Sequence, residues 1–195
     1  MSTVGVLALQ GDFSEHAAIL KKLNAEVREV RLPSDLEGID RLIIPGGEST
    51  TITRLMDMYG LLEPLRAFAA HRPVWGTCAG MIVMAKHATD LDRETLGLMD
   101  ISVVRNAFGR QVDSFETDLQ IDEVAGEPFH AVFIRAPLIK EAGPGVKVLA
   151  QIQGQGVVAA RQGHLLVTSF HPELTDDLRL HAYFLTFSAG VAGAK

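Results

Sequence analysis

The sequence predicts a three-layer α/β/α fold with a mostly parallel central sheet and additional antiparallel strands in the C-terminal half. In the first half, short apolar segments typical of buried strands alternate with helical segments, which favours parallel strands covered on both faces. After about Leu96, strand-like segments follow one another with turn residues between them, which favours antiparallel pairing. Because 195 residues suit one domain with a substantial core, we expect residues 1–195 to form a single domain.

The strands and helices of the first half are predicted from apolar runs and from the residues that interrupt these runs. The predicted strands span residues 4–9, 27–32, 41–44 and 73–76, and the predicted helices span residues 14–23, 52–58, 61–70 and 79–87. We expect Ser14 to cap the first helix, because its hydroxyl can accept a hydrogen bond from a first-turn N–H. Gly60 separates the second helix from the third.

The second half contains mainly β-branched and aromatic runs, which favour strands. The predicted strands span residues 101–104, 115–121, 131–134, 147–153, 157–161 and 165–170, and a final helix spans residues 177–188. Gly154-Gln155-Gly156 and Gln162-Gly163 fall between consecutive strands, where they are suited to hairpin turns.

Composition argues against several classes of protein. The net charge of −6 disfavours nucleic acid or an anionic membrane surface as a partner. One cysteine excludes an internal disulfide bond. No apolar stretch approaches the roughly 20 residues that span a bilayer. The N-terminal segment lacks the basic residues and the cleavage site of a signal peptide, so we expect a cytoplasmic protein.

A candidate nucleophile lies between the fourth predicted strand and the helix after it. Gly76-Thr77-Cys78-Ala79-Gly80 has the spacing of the G-x-S-x-G nucleophile elbow, with cysteine in place of serine. The sharp turn lifts the central side chain out of the sheet, and the flanking glycines relieve the resulting crowding. The helix N-terminus favours the thiolate of Cys78, and the Ala79 N–H can donate to an oxyanion. The alternative is that Cys78 is a small buried apolar residue.

A candidate base follows the last predicted strand, in the segment His171-Pro172-Glu173. Pro172 favours extended geometry at His171, and residues i and i+2 of an extended segment project to the same side. Glu173 can then accept a hydrogen bond from one ring nitrogen and leave the other for Cys78. The alternative is that His171 only ends a strand and Glu173 is a solvated charge. The other histidines lack this spacing to a carboxylate and the spacing of zinc ligands, so we predict no metal site.

A glycine-rich loop, Pro45-Gly46-Gly47-Glu48, follows the third predicted strand. Ligands of parallel α/β proteins bind beyond the carboxyl ends of the strands, so this loop should lie at the same edge as Cys78. Paired glycines allow the backbone to approach a substrate, and the Gly47 N–H can be a second oxyanion donor beside that of Ala79. A plain turn is the alternative, whereas a phosphate-binding loop is excluded because the G-x-x-x-x-G-K-[ST] pattern is absent.

Together, these three segments resemble the class I, triad-type glutamine amidotransferases. Within that family, further segments are similar to the glutaminase subunits of pyridoxal 5′-phosphate synthases, so that the resemblance extends over essentially the whole chain. These further segments are residues 9–13 with Glu15 and His16, 46–50, 105–111, 133–137, and the run from His171 through Arg179 and His181 to Phe184.

The resemblance implies Cys78 as the nucleophile, with His171 and Glu173 completing the catalytic relay. The substrate-binding residues that it implies are Gly46, Gly47, Glu48, Arg105, Ile134 and Arg135. The arginines would hold the head group of glutamine, which agrees with the fit of a guanidinium to a planar carboxylate. Without the resemblance, solvated surface arginines would be the better interpretation.

The resemblance also implies L-glutamine as substrate and no cofactor for this chain. The ammonia would pass to a separate synthase subunit, a (β/α)₈ barrel that builds pyridoxal 5′-phosphate. We expect that subunit to be another polypeptide, because such a barrel typically needs about 250 residues. The alternatives are a glutaminase subunit of another biosynthetic pathway, a binding subunit with a vestigial triad, and a cysteine peptidase-like α/β protein.

Overall fold

Residues 2–108 and 114–190 are described by the computed structural model. The strands are β1 (Thr3–Leu7), β2 (Glu26–Val30), β3 (Arg41–Ile44), β4 (Val74–Thr77), β5 (Ala85–Ala88), β6 (Met99–Val104), β7 (Ser114–Leu119), β8 (Phe129–Ile134), β9 (Leu138–Ala142), β10 (Lys147–Ile152), β11 (Gly156–Gln162) and β12 (Leu165–Thr168). The helices are α1 (Phe13–Lys22), α2 (Ser49–Met58), α3 (Leu62–Ala69), α4 (Ala79–Met84) and α5 (Arg179–Leu185). Short 3₁₀ turns span Pro33–Leu36 and Pro172–Leu174.

In the described residues the main sheet has ten strands. Nine of them have the order β2-β1-β3-β4-β12-β11-β9-β6-β5, and the tenth, β10, also pairs with β11. The five strands from β2 to β12 in this order are parallel. From β12 onward the pairings to β11, β9 and β6 are antiparallel. A separate antiparallel hairpin consists of β7 and β8. The predicted mixture of a parallel centre and C-terminal antiparallel strands is therefore confirmed.

Alternate residues of the central strands face two separate apolar cores. In β3, Leu42 and Ile44 pack into one core and Ile43 into the other, as the two-residue period of a strand requires. The first core includes buried residues of α2, α3 and α4, and the second includes buried residues of α1, α5 and the β7–β8 hairpin. The sheet is covered on both faces, which gives the predicted three layers.

The structure corrects the predicted start of α1. This helix begins at Phe13, with Asp12 as the N-cap residue and no side-chain capping bond. Ser14 therefore lies within the first turn, and its hydroxyl donates to Glu15 at 2.8 Å instead of capping the helix. The position of Asp12 is set by another part of the fold, because its N–H donates to the Gly46 carbonyl at 3.1 Å.

Two further differences concern the far side of the sheet. The predicted helix 79–87 ends at Met84, and Ala85–Ala88 form β5, which pairs in parallel with β6. Leu138–Ala142 form β9, which was not predicted, because only its first two residues are apolar and buried. Both strands form through pairing with β6, a tertiary contact that overrides local preference. The last helix is also shorter than predicted and spans Arg179–Leu185.

Candidate active site

The carboxyl ends of β1, β3 and β4 lead into three segments that meet at one edge of the sheet. These segments are Gln10–Asp12, the glycine-rich loop 45–48, and the turn at Cys78. The chain from the end of β12 brings His171 to the same edge, where it lines one cavity with residues of all three segments. This edge is where ligands of parallel α/β sheets bind.

Cys78 occupies a strained turn between β4 and α4. Its φ of 47° and ψ of −105° lie outside the regions that L-residues usually adopt, and its N–H donates to the Thr168 carbonyl at 2.8 Å. The flanking glycines are required by close packing. A Cβ at Gly80 would lie 2.0 Å from the Ile44 carbonyl oxygen, and one at Gly76 would lie 2.5 Å from Gly80. The elbow thus fits tightly against β3, and Ala79 begins the helix that follows.

His171 is held by two carboxylates. Its Nδ1 atom lies 2.6 Å from Glu173 Oε1 and 3.4 Å from Asp12 Oδ2. The segment is not extended as expected, because Pro172–Leu174 form a 3₁₀ turn, although His171 itself is non-helical with φ −107° and ψ 85°. The turn still brings the imidazole and the carboxylate together, and it leaves the Nε2 atom of His171 for Cys78.

The electrostatics of this pair follow from burial and contact. Burial acts to lower the pKa of His171, but hydrogen bonds with Asp12, Cys78 and Glu173 outweigh it and raise the pKa well above its usual range. Burial raises the pKa of Glu173, in opposition to the hydrogen bond from His171. Protonated His171 is therefore favoured beside Cys78, which is the condition that stabilises a cysteine thiolate.

The glycine-rich loop packs directly on the histidine. A Cβ at Gly46 would lie 2.5 Å from His171 Cε1, and one at Gly47, whose φ is +152°, would lie 2.6 Å from Gln10 Oε1. The same Gln10 oxygen accepts a 2.7 Å hydrogen bond from the Glu48 N–H. Both glycines are therefore needed for close approach of the backbone.

Glu48 has a structural function as well as a place in the cavity. Its carboxylate accepts from the N–H groups of Thr50 at 3.0 Å and Thr51 at 2.7 Å, and so caps α2. Burial acts to raise the pKa of Glu48, but these hydrogen bonds with Thr51 and Thr50 outweigh it and lower the pKa. Arg105 Nη2 lies 3.5 Å from this carboxylate, and Arg105 also donates to the Asp90 carbonyl.

The opposite wall of the cavity is formed by the end of β8 and the loop after β6. The Ile134 carbonyl lies 3.9 Å from Cys78 Sγ, and the exposed Arg135 follows it. Arg135 has a φ of 43° and Asn106 has a φ of 49°. Six non-glycine residues among the described residues have a positive φ. Three of them, Cys78, Asn106 and Arg135, line this cavity. Backbone strain of this kind concentrates at functional sites.

The cavity has a volume of about 330 Å³, which falls in the ~300–1,000 Å³ range of small-molecule sites. Its lining residues are Gln10, Asp12, Gly47, Glu48, Ser49, Cys78, Ala79, Ile82, Arg105, Asn106, Ile134, Arg135 and His171. Of the predicted site residues, Gly46 and Glu173 contact His171 from behind, and the others lie on the surface of the cavity. Gly109–Gln111, part of a segment that carried the resemblance, lie outside the described residues.

The sequence interpretation assigned no role to several residues of this site. Gln10 and Asp12 were quoted only as part of a motif, yet both line the cavity. Their position directly after β1 was the available signal, because ligands bind at the carboxyl ends of parallel strands. Asp12, His171 and Glu173 also place three potential metal ligands within 4.8 Å of one another. The His171 nitrogen in that group is the one already bonded to Glu173, so the contact is explained without a metal.

Comparison with known proteins gives a consistent result over nearly the whole chain. The model of the SNO glutamine amidotransferase family matches residues 6–188. The chain is 58% identical over 183 residues to "Pyridoxal 5'-phosphate synthase subunit PdxT" of Pelotomaculum thermopropionicum, covering 93% of each chain. It is 57% identical over 187 residues to the protein of the same name from Herpetosiphon aurantiacus, covering 94% of this chain and 98% of that one.

A solved structure described as a crystal structure of glutamine amidotransferase is similar to this fold. The TM-score is 0.88 at 51% sequence identity, and the match covers 93% of this chain and 96% of that chain. In the part of the chain that the structure describes, no helix is both long enough and apolar enough to cross a membrane.

Proposed function

Because the chain belongs to the SNO glutamine amidotransferase family, we propose that it hydrolyses L-glutamine to L-glutamate and ammonia. The ammonia passes to a separate synthase subunit that makes pyridoxal 5′-phosphate, the vitamin B6 cofactor. The observation that carries the proposal is the arrangement of Cys78 and His171 on one wall of a small cavity, with Glu173 bonded to His171 at 2.6 Å. We assign Cys78 as the nucleophile, His171 as the acid and base, and Glu173 as the residue that orients His171.

The reaction begins when the Cys78 thiolate attacks the carbonyl carbon of the glutamine side-chain amide. A carbon–sulfur bond forms, and the carbonyl electron pair moves to oxygen, where the Gly47 and Ala79 N–H groups stabilise the negative charge. Protonated His171 then gives its proton to the amide nitrogen, the carbon–nitrogen bond breaks, and ammonia leaves. The raised pKa of His171 supports this role, because the histidine must be charged before the attack.

The second half-reaction releases glutamate. Neutral His171 takes a proton from water, and the resulting hydroxide attacks the thioester carbonyl. The same two N–H groups stabilise the second oxyanion, and the Cys78 thiolate leaves. Glu173 keeps the Nδ1 proton of His171 in place through both steps, so that Nε2 faces the reacting atoms.

Recognition of the amino-acid end of glutamine is assigned to the opposite wall. Arg105 and Arg135 supply guanidinium groups for its carboxylate, and the Ile134 backbone lies between Arg135 and Cys78. Gly47 and Glu48 shape the part of the cavity nearest the oxyanion, and Gly46 packs against His171 from behind. These assignments are supported by the lining of the cavity and by the charge that a free amino acid carries.

The partner, the cellular location and the domain organisation are parts of the same proposal. The relatives' printed name describes a subunit of a synthase, which supports a hetero-oligomer with a barrel-type synthase chain. We place the enzyme in the cytoplasm and treat residues 1–195 as one glutaminase domain. Strands from both halves of the chain share the main sheet, which supports a single unit.

The test is to supply the chain with glutamine, with the synthase subunit and its phosphorylated sugar substrates present. We expect equimolar glutamate and ammonia, and formation of pyridoxal 5′-phosphate when glutamine is the only nitrogen source. Glutamine hydrolysis without pyridoxal 5′-phosphate would favour a glutaminase of another pathway. Cleavage of a peptide panel without glutamine hydrolysis would favour the peptidase alternative.

A further inference from the structure

A chain of buried polar side chains continues from Glu173 into the interior, away from the cavity. Glu173 Oε1 is bonded to His171, but the buried Oε2 atom forms no hydrogen bond of good geometry with any described residue. His16 Nε2 lies 3.3 Å from Oε2, and both side chains are 0% exposed. A buried carboxylate oxygen without a donor is costly, so the protonation state of His16 decides whether this contact stabilises Glu173.

His16 is fixed by contacts with two other elements. Its Nδ1 atom lies 2.9 Å from Nε2 of His181 in α5. Its Nε2 atom lies 3.1 Å from the hydroxyl of Thr77, the residue before Cys78. Both imidazole rings pack edge-on against Trp75, with ring centroids 5.8 Å and 4.8 Å away for His16 and His181. The two rings therefore have one position each, and only their protons remain to be assigned.

Burial favours the neutral form of both histidines. Burial lowers the pKa of His16 well below its usual range, and the nearby His181 and His171 lower it further. Burial also lowers the pKa of His181 to about 3. A neutral imidazole has one donor and one acceptor nitrogen. The hydrogen bond between His16 Nδ1 and His181 Nε2 needs one donor and one acceptor, so only two combinations of tautomers are compatible with it.

In the first arrangement, His181 donates from Nε2 to His16 Nδ1, and the Nε2 proton of His16 faces Thr77 Oγ1 at 3.1 Å and Glu173 Oε2 at 3.3 Å. In the second arrangement, both rings have the opposite tautomer, with the proton on Nδ1. It turns the lone pair of His16 Nε2 towards the carboxylate, and it leaves a proton on His181 Nδ1, a buried atom without a hydrogen-bond partner among the described residues. Buried N–H groups without an acceptor are rarer than unpaired acceptors, so the first arrangement is favoured.

We propose that His16 is a positioning residue of the active site, which holds the second oxygen of Glu173 while His181 fixes the tautomer of His16. The inference rests on the proposed function, because it assigns to His16 an effect on the histidine that serves Cys78. With Oε1 bonded to His171 and the Nε2 proton of His16 beside Oε2, rotation of the Glu173 carboxylate is restricted, and Oε1 stays directed at His171 Nδ1. Partners of this kind orient a functional histidine through its carboxylate.

The effect on the pH profile can be worked out from the groups around Glu173. The ionisable groups that face it are His171, Asp12 and His16, with His181 and Cys78 one contact further. A donor on Oε2 stabilises the charged carboxylate. Loss of that donor makes Glu173 easier to protonate, so the acidic limb of the kcat/KM profile should move to higher pH.

The first test compares His16→Leu with His16→Gln in the complex with the synthase subunit over a range of glutamine concentrations. We expect kcat of His16→Leu to fall about 10–100-fold, by analogy with the loss when the outer partner of a metal-bound histidine is removed, with KM nearly unchanged. His16→Gln should recover much of the rate, because its amide can again donate to Glu173. A role in packing alone would make the polar substitution no better than the apolar one, and that result would overturn the proposal.

Two further variants give an intermediate effect on kcat and a control without effect. His181→Leu should lower kcat less than His16→Leu, because it removes only the group that fixes the tautomer. His164→Leu is the matched control, since His164 bonds the Ala69 carbonyl at 2.7 Å just before β12 begins, at the end of the strand away from the site. Its kcat and its acidic limb should match those of the unaltered enzyme. An acidic limb in His16→Leu that also matches would contradict the proposal.

A measurement on the unaltered protein avoids any dependence on folding of the variants. Nitrogen-15 NMR of the imidazoles should show both His16 and His181 protonated at Nε2, and protonation at Nδ1 of His16 would overturn the proposal. Failure of the proposed function gives a different result, because the unaltered complex would then hydrolyse no glutamine, or hydrolysis would survive in Cys78→Ala. Full activity of His16→Leu with an inactive Cys78→Ala would refute only the inference.

Discussion

The two walls of the cavity are held in different ways. On the catalytic wall, Cys78, His171 and Glu173 are only 7%, 4% and 6% exposed, and each follows a buried strand of the parallel sheet. On the opposite wall, Arg105 and Arg135 belong to loops, and Arg135 is exposed. The catalytic residues need one fixed geometry, and packed strands and turns hold them in place. Recognition of the substrate is assigned to loop residues, whose positions adjust more readily. We infer that the catalytic wall is preformed and that substrate or partner completes the other wall.

The largest expected effect tests the catalytic wall at its centre. Cys78→Ala should lower glutamine hydrolysis by about 10⁴-fold or more, because residues of a catalytic triad act as a unit around the nucleophile. A glutamine-mimicking electrophile should label the unaltered chain at Cys78 and leave the variant unlabelled. Circular dichroism of both proteins serves as the control for folding. Activity of Cys78→Ala close to that of the unaltered enzyme would show that Cys78 is not the nucleophile.

Glu173→Gln should have the next largest effect, about 10³–10⁴-fold on kcat, with little change in KM. The amide offers a donor as well as an acceptor to His171 Nδ1, so the wrong tautomer of the histidine becomes available. The matched control is Glu37→Gln, an exposed position just before β3, at the amino end of the strands. A change in KM without a change in kcat would instead show that Glu173 contacts the substrate.

The effect of the synthase subunit on the rate should be smaller than the effects of substitutions on the catalytic wall. It should be larger than the effect of a substitution on the opposite wall. The Gly46 carbonyl accepts from the Asp12 N–H at 3.1 Å, so the trans peptide directs the Gly47 N–H the opposite way. We expect this glycine peptide to hold the Gly47 N–H away from the oxyanion position until the synthase binds, and the lack of one oxyanion donor costs about 10²–10³ in rate. We therefore expect the synthase subunit to raise glutamine hydrolysis by up to that factor. Equal rates with and without it, at saturating glutamine, would show that the loop is already in its active form.

The smallest effect is expected on the recognition wall. Arg135→Ala should raise KM for glutamine about tenfold while kcat changes less, because a charge-assisted hydrogen bond contributes about 1.5–3 kcal/mol and the exposed Arg135 should lie at the lower end of that range. Arg72→Ala is the control, since Arg72 precedes β4 at the opposite edge of the sheet and pairs with Asp40 at 3.6 Å. A fall in kcat as large as that of Glu173→Gln would mean that the two walls are not functionally separate.

Much of the site could be predicted from short segments, because their chemistry is local. The glycine spacing around Cys78 defines a turn, and the two-residue spacing of His171 and Glu173 places their side chains together even though the backbone forms a 3₁₀ turn. Residues that depend on distant segments were missed. Asp12 reaches His171 only because β1 and β12 end at the same edge of the sheet, and no spacing along the chain reveals that.

By itself, the sequence determined the alternation of elements, the strained elbow, the glycine-rich loop and the candidate triad, since each depends on residues within a few positions. The tertiary structure decided the rest. It made β5 and β9 strands through pairing with β6, and it placed Asp12 instead of Ser14 at the start of α1. It also brought His16 within 2.9 Å of His181, 165 positions away. Such contacts depend on which strands become neighbours and which faces are buried, and these are properties of the whole sheet.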